Sequence, residues 1–302
     1  MPQRKLITFD WAMKRLLRSK ANFEILEGFL SELLSDEIKI IELLESESNK
    51  DHAADKFNRV DLKVKNRAGE IIIIEVQYER EFDYLQRMLY GTSRVITEHQ
   101  QEGEPFSSLT KVISVNILYF DLGHGSDYIY HGTTSFTGIH DKDNLQLSSK
   151  QRQLYGKDQL YHLFPEYYLI RINNFNNIAA TPLDEWIYFL KNEEIKDEFK
   201  ARGLQKAKQA FSILSLPEKD RLAFARYQDD LRYQASLIES NYGLGRLEGR
   251  EEGIQQGIQQ GIQQGVQQGK IEVAQRLQVK GMSIEEAAEM AGVDMELLRR
   301  SS

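Results

Sequence analysis

Three side chains, those of Asp61, Glu75 and Gln77, have the types and spacing that metal-dependent chemistry requires. Glu75 and Gln77 are two residues apart, so in a strand they lie on the same face. Two carboxylates in a partly buried place repel each other unless a cation neutralises them. Mg²⁺ suits this role, because one or two carboxylates bind it together with water and phosphate oxygens. The alternative is that Asp61 and Glu75 face solvent and pair with Lys63 or Arg67.

A β-hairpin is predicted around these residues. Apolar and charged residues alternate over residues 60–65, as in a strand with one buried face. Turn-forming residues follow and end at Gly69, and residues 71–74 are all isoleucine, as in a strand buried on both faces. Because the start of the first strand and the end of the second meet in a hairpin, we expect Asp61 and Glu75 to converge at one end of a small sheet.

The motif formed by Asp61, thirteen intervening residues and Glu75-Val76-Gln77 resembles the core of the PD-(D/E)xK nuclease superfamily. More narrowly, it resembles the Rpn-type family of bacterial recombination-promoting nucleases and transposases. The opening FDWAMKRLLRSKANFEILEGFLSELL, the helix that carries Arg87 and Tyr90, and the Gly-rich tail are also similar to that family. The resemblance implies an α/β fold, with a restriction-endonuclease-like core of mixed sheet flanked by helices, and then an all-α C-terminal region.

The resemblance also implies a function and a cofactor. Asp61 and Glu75 would bind Mg²⁺, with Mn²⁺ as a substitute, for DNA hydrolysis that promotes recombination with weak sequence preference. Gln77 stands where the superfamily has a Lys, although this family shares the Gln; an amide can orient water but brings no positive charge. The alternative is a catalytically inactive scaffold that binds DNA or protein and oligomerises through its tail.

The composition excludes several other classes of protein. The 302 residues have a hydrophobic fraction of 41%, which is ordinary for a globular chain with a core. The chain has no cysteine, which excludes disulfides and Cys-based zinc sites and fits a cytoplasmic location. We expect no membrane partner and no signal peptide, because no apolar run is long enough. The net charge of −7 means that a DNA partner requires a local basic patch.

Such a patch is predicted at the N-terminus, where the first 20 residues hold six basic residues against Asp10. Asp10 is predicted to cap a helix that reaches about Leu34, with a break near residues 21–22. Its cationic turns either contact DNA phosphates or form a solvated helix face. By resemblance, Glu24 or Glu27 of this helix joins the metal site in some superfamily members. The cations predicted to grip the DNA backbone are Lys14, Arg15, Arg18, Lys63 and Arg87.

A long helix is predicted over residues 78–101, directly after the hairpin. Arg87 and Tyr90 are three residues apart and therefore share a face of this helix. That face either reaches the scissile phosphate or packs against the strands, with Arg87 paired to Glu81 or Glu98.

The remaining elements complete the predicted α/β core. An apolar run before the hairpin, residues 38–44, is helix or strand, and a polar loop with His52 and Asp55 follows it. After the long helix, a strand is predicted at 111–120, parallel to the second strand of the first hairpin. A strand at 128–136 is predicted to form a second hairpin with the strand at 111–120. A strand at 166–175 and a helix from Pro182 to about Phe199 follow.

The tail contains a repeat in which glycine recurs every four residues from Gly249 to Gly269. Ile254, Ile258, Ile262 and Val266 follow four of these glycines, and glutamines fill the other positions. Because glycine costs roughly 1 kcal/mol per site in a helix, no stable lone helix is predicted here. The segment is either a flexible linker or a surface for self-association, and the regular apolar positions favour a homo-oligomer.

Ser283 and Glu286 form a capping box for a short helix near the C-terminus, where acidic residues disfavour DNA contact.

The predicted segments are a nuclease-like domain at 1–204, a helical spacer at 205–247, the period-four repeat at 248–270 and a small helical segment at 271–302.

Overall fold

The structure is a computed structural model that describes residues 6–44 and 61–301, and the side chains of all of these except residues 300 and 301. The chain forms two compact units, residues 1–224 and 225–302. The polar loop predicted around His52 and Asp55 lies outside the described residues. The predicted segment boundaries at 204, 247 and 270 stay predictions.

The first unit is built on a sheet of six described strands. The strands are β1 (Ile40–Leu44), β2 (Leu62–Asn66), β3 (Ile71–Gln77), β4 (Val112–Leu118), β5 (Ile129–Gly132) and β6 (Glu166–Arg171). Their order in the sheet is β1-β2-β3-β4-β6-β5. The α-helices of the described residues are α1 (Phe9–Arg15), α2 (Phe23–Leu34), α3 (Tyr84–Glu98), α4 (Ser149–Tyr155), α5 (Pro182–Asn192), α6 (Leu204–Ala210), α7 (Glu218–Val279), α8 (Ile284–Ala291) and α9 (Met295–Ser301). Parallel and antiparallel pairs in one sheet, with helices around it, confirm the predicted α/β class with a helical C-terminal region.

The predicted hairpin is present as β2 and β3. The two strands pair antiparallel, with Leu62 opposite Ile74. Gly69 has the positive φ of +81° that the turn needs, and its N–H donates to the Asn66 carbonyl at 3.0 Å. Before the hairpin, β1 pairs with β2, so the apolar run at 38–44 contains a strand and no helix.

The predicted strands after the hairpin form, but one pairing is wrong. β4 lies parallel to β3, as predicted, with α3 as the crossover between them. β5 does not make a hairpin with β4. Instead β6 lies parallel to β4, and β5 pairs antiparallel with the outer edge of β6. The fully buried β4 therefore has a strand on each side, which leaves no free edge for β5.

Two predicted helices are shorter than expected. α3 begins at Tyr84, because residues 78–83 form a turn in which Glu81 reaches back toward β3. α5 ends at Asn192, because Glu193 adopts a left-handed conformation with φ +54°.

The first predicted helix is divided, as expected, near residues 21–22. α1 ends at Arg15, and α2 starts at Phe23 after a short 3₁₀ turn. The predicted cap is wrong, however, because Thr8 is the N-cap and accepts a hydrogen bond from the Trp11 N–H at 3.3 Å. Asp10 lies inside the first turn and is buried.

The core of the first unit is aromatic. Phe9 of α1 and Phe29 of α2 contact Trp186 of α5 edge-on or at a tilt, with ring centroids 6.3 and 5.6 Å from the Trp186 centroid. Trp186 is fully buried, and its indole N–H donates to the Arg202 carbonyl at 3.2 Å. These contacts hold α1 in place, and α1 carries part of the site described below.

The second unit contains the repeat and the C-terminal helices. The repeat lies within α7. Its apolar residues Ile254, Ile258, Ile262 and Val266 are between 53% and 61% exposed. No described neighbouring atom lies within 4 Å of the Cβ position at any repeat glycine. The predicted capping box is confirmed, because Ser283 and Glu286 bond reciprocally at the start of α8. No helix of the described residues is both long and apolar enough to cross a membrane.

Candidate active site

The end of the β2–β3 hairpin brings Asp61 and Glu75 together. The pairing of Leu62 with Ile74, continued by one residue, sets Asp61 against Glu75. The N–H of Val76 donates to Asp61 Oδ2 at 2.8 Å, which ties the first acid to the strand that carries the second. The predicted convergence of the two carboxylates therefore occurs through the strand register and one side-chain hydrogen bond.

Asp61 lies among charged groups that come from α1 and from the turn that follows it. Its Oδ1 is 3.5 Å from the Lys14 Nζ, and Arg18 donates to its backbone carbonyl at 3.2 Å. Burial raises the pKa of the Asp61 carboxyl above its usual value, and Asp10 raises it further, whereas Lys14 and the Val76 N–H lower it. The ionised form of Asp61 is therefore incompletely compensated by its neighbours.

The carboxyl of Glu75 also has a raised pKa. Its side chain is 12% exposed and is paired with the Arg87 guanidinium. Burial raises the pKa of Glu75 to about 7; Arg87 opposes this increase, whereas Asp61 and Glu81 add to it. A carboxyl with this pKa favours the approach of further positive charge near neutral pH.

Gln77 is held by a residue that the sequence analysis named only as a partner for Arg87. Its Nε2 donates to Glu81 Oε1 at 2.8 Å and to the Glu79 carbonyl at 3.3 Å. Glu81 also accepts from Arg87 Nη1 at 2.6 Å. Glu81 thereby fixes the amide of Gln77 and one side of the Arg87 guanidinium. Its position four residues after Gln77, in a turn, carries no periodic signal that could have indicated this role.

Asp10 is the site residue that the sequence analysis missed. Its side chain is 2% exposed, and its Oδ1 lies 2.8 Å from the Lys14 Nζ. The spacing of four residues within a helix was the available signal, because residues at i and i+4 are neighbours on a helix surface. α1 thus brings a buried acid and a cation to the hairpin's two carboxylates.

The two acids of α2 that the resemblance suggested do not lie at this site. Glu27 is buried, but its oxygens accept from the Lys39 ammonium at 3.0 Å and from the Ile40 N–H at 2.9 Å, which ties α2 to β1. Glu24 is exposed and pairs with Lys206 at 2.7 Å. Both carboxylates are paired with residues outside the site, so neither Glu24 nor Glu27 joins the candidate metal ligands.

The five cations predicted to grip DNA differ in their positions. Lys14, Arg15 and Arg18 are exposed on or just after α1. Arg87 is half-buried between Glu75 and Glu81. The predicted alternative, an ion pair between Arg87 and Glu81, is therefore present, and Glu75 is a second partner. Lys63 is only 4% exposed, and its Nζ lies 3.4 Å from Glu98. This buried position argues against contact between Lys63 and a DNA backbone.

The donor set is suited to a hard divalent cation. Among the described residues, no three His, Asp or Glu side chains form a group arranged to hold a metal ion. Mg²⁺ requires fewer protein ligands than that, because water and substrate phosphate complete its shell. Asp61 and Glu75 offer two carboxylates at one end of the hairpin. Burial raises the pKa of both, which disfavours their charged forms, and a bound cation would compensate that charge.

Comparison with known proteins gives one finding for this chain. Residues 7–241 match the family model described as PD-(D/E)XK nuclease family transposase. The matched region includes Asp10, the β2–β3 hairpin and the whole sheet. The comparisons with curated proteins and with solved structures gave no match.

Proposed function

The chain belongs to the PD-(D/E)XK nuclease family transposases, and from this premise we propose that it is a metal-dependent DNA endonuclease. The observation that carries the proposal is the convergence of Asp61 and Glu75 at the end of the hairpin, inside the matched region. The proposed ion is Mg²⁺, with Mn²⁺ as a substitute. Asp61 and Glu75 are its proposed ligands.

The proposed reaction is phosphodiester hydrolysis. The oxygen of a water forms a bond to phosphorus, and the bond from phosphorus to one ester oxygen breaks, with its electron pair remaining on that oxygen. The water loses one proton to solvent, and the departing oxygen gains one. Bound Mg²⁺ would polarise the phosphate and lower the pKa of the attacking water. Asp61 and Glu75 would hold the metal ion. The Gln77 amide, which donates a hydrogen bond to Glu81, positions the water.

DNA would be held through its backbone, because the described residues around the site offer cations on α1 but no element that reads bases. Lys14 and Arg15 of α1 and Arg18 just after it are exposed and are proposed to meet phosphates, with Arg87 deeper in the site. Weak sequence preference follows from backbone contacts alone. We also propose a role in DNA recombination and a cytoplasmic location, which suits a chain without cysteine.

A second candidate is an inactive scaffold of the same fold that binds DNA or protein. The observation that favours it is the pairing of the carboxylates with internal cations, Asp61 with Lys14 and Glu75 with Arg87. Gln77 adds no positive charge for catalysis. In such a scaffold the ion pairs would replace the metal permanently.

Metal titration separates the two candidates. We expect the wild-type protein to bind Mn²⁺ in titration calorimetry without DNA and to nick or linearise supercoiled plasmid with Mg²⁺ but not with EDTA. Asp61→Ala removes one of two charged ligands, so Mn²⁺ binding should weaken by more than about tenfold, a loss of roughly 1.4 kcal/mol. Intact plasmid together with no Mn²⁺ binding by the wild type would contradict the nuclease proposal and favour the scaffold.

The second unit is proposed to make the protein a homo-oligomer through its repeat. The residues that support this are the exposed Ile254, Ile258, Ile262 and Val266, which recur with the period of the glycines. Glycines allow two helix backbones to approach closely, and burying the apolar residues would offset the helix-destabilising effect of glycine.

The double substitution Ile258→Gln, Ile262→Gln should therefore convert the oligomer into a monomer, as measured by light scattering over a range of concentrations. The matched control is Leu244→Gln, Leu247→Gln on the same helix, because these leucines are equally exposed but lie outside the repeat. We expect the control to remain oligomeric. A wild-type protein that is monomeric at every concentration would contradict self-association.

A further inference from the structure

The site lacks a positive charge at the position where the superfamily resemblance places one. Gln77 occupies that position, and its amide is directed to Glu81 and to the Glu79 carbonyl. Phosphoryl transfer develops negative charge on the phosphate oxygens, and stabilisation of that charge is a large part of catalysis. A nuclease with this site therefore needs a cation from another element.

Among the described residues, Lys14 and Arg87 contact the acids of the site, and they differ in how far their side chains are exposed. Arg87 is held between Glu75 and Glu81, and its side chain is only 21% exposed. Lys14 is 45% exposed and touches Asp10 and Asp61 through the one ammonium group at the end of its flexible stem. Of the two, Lys14 has the freedom to move toward a bound phosphate.

The backbone that carries Lys14 is fixed, even though nearly half of its side chain is exposed. Phe9, Trp11, Ala12 and Met13 of α1 are all buried. Asp10, one helical turn before Lys14, holds the ammonium at 2.8 Å from a buried carboxylate. This arrangement directs the lysine toward Asp61 and limits the conformational entropy that is lost when it acts.

We propose that Lys14 supplies the positive charge of the active site, in place of the lysine that Gln77 lacks, with Asp10 as its positioning residue. This inference rests on the proposed function. In the metal-free site Lys14 is the counter-ion of Asp61. A metal ion held by Asp61 would replace Lys14 in that role, and the ammonium, still paired with Asp10, would be available to the phosphate oxygens. Lys14 stabilises charge there and transfers no proton.

Lys14 therefore affects metal binding and cleavage in opposite directions. Lys14→Met removes the competing counter-ion, so Mn²⁺ binding without DNA should tighten about threefold to tenfold, as expected for one partly exposed charge. Single-turnover cleavage of plasmid at saturating Mg²⁺ should fall about 100-fold, the usual loss for one charge-stabilising group. Lys14→Arg keeps the charge and should recover most of the cleavage.

Three further variants separate this role from DNA anchoring and from folding. Lys20→Met removes one exposed positive charge from the same basic segment and should leave both readouts within about twofold. Asp10→Asn, Lys14→Met avoids a buried unpaired carboxylate, so the protein stays folded and cleavage stays lost. Asp10→Asn alone keeps Lys14 and should retain at least about a tenth of the cleavage rate.

The outcomes distinguish this inference from the proposed function. If the wild type cuts plasmid and Lys14→Met cuts equally fast, or if Lys14→Met loses cleavage only in proportion to weaker DNA binding, this inference is wrong and the nuclease proposal stands. If Mn²⁺ binding weakens in Lys14→Met, the counter-ion role is wrong. If the wild type does not cut, the proposed function fails, and this inference fails with it.

Discussion

Glu75→Gln is expected to lower Mg²⁺-dependent cleavage of supercoiled plasmid by at least about a thousandfold, equivalent to roughly 4 kcal/mol of lost transition-state stabilisation. The substitution keeps the size and hydrogen-bonding shape of the side chain but removes the charge of one proposed metal ligand. It also removes the charge of one of the two carboxylates that pair with Arg87 among the described residues and keeps that of Glu81. The measurement is the single-turnover rate of nicking at saturating Mg²⁺, with EDTA as the blank.

The matched control is Glu42→Gln, the same chemical change at an exposed position of β1. We expect Glu42→Gln to cleave at the wild-type rate, because exposed charges away from the site contribute little. Cleavage that survives in Glu75→Gln and is still lost with EDTA would mean that the metal site lies elsewhere. Cleavage that survives both treatments would indicate a contaminating nuclease.

Gly28→Ala is expected to give the largest loss of stability among single-methyl additions to the first unit, about 3 kcal/mol. A Cβ at Gly28 of α2 would lie 2.1 Å from the Arg202 carbonyl oxygen and 2.6 Å from its carbon. Both are backbone atoms, so no side chain can swing aside. The same carbonyl accepts the hydrogen bond from the buried Trp186 indole, which the displacement would break.

Gly91→Ala in α3 is the control for this substitution. No described neighbouring atom lies within 4 Å of its Cβ position, so alanine should stabilise the helix by about 0.5–1 kcal/mol. Urea unfolding followed by tryptophan fluorescence suits both variants, because the chain's two tryptophans, Trp11 and Trp186, lie in the first unit. An unfolding midpoint for Gly28→Ala that is no lower than that of Gly91→Ala would refute the close-packing argument.

The hairpin illustrates what sequence patterns predict well. Alternation over residues 60–65, a turn ending at Gly69 and the run of isoleucines at 71–74 are local features, and each follows from the periodicity of a strand. The observed register agrees with them and sets Asp61 against Glu75. The β4 strand and its parallel pairing could also be predicted, because a helix between two strands acts as a crossover.

The errors fall where the answer depends on contacts that are distant in sequence. β5 pairs with β6 because β6 already occupies the edge of β4. The local sequence of β5 does not indicate which of these two strands it pairs with. Lys63 alternates with apolar residues, as an exposed strand residue would, yet the C-terminal end of α3 covers it with Glu98. Periodicity reports that a face is polar, but not whether another element lies over it.

The sequence by itself determined the α/β class, the hairpin and the two carboxylates at its end, because these follow from local periodicity and turn chemistry. Only the tertiary structure decided which charges surround those carboxylates. It moved Asp10 from a predicted cap to a buried partner of Lys14, placed Lys14 against Asp61, and set Arg87 between Glu75 and Glu81. The physical reason is that electrostatic interactions depend on distance and burial, and α1 and α3 reach the hairpin only after the core has packed.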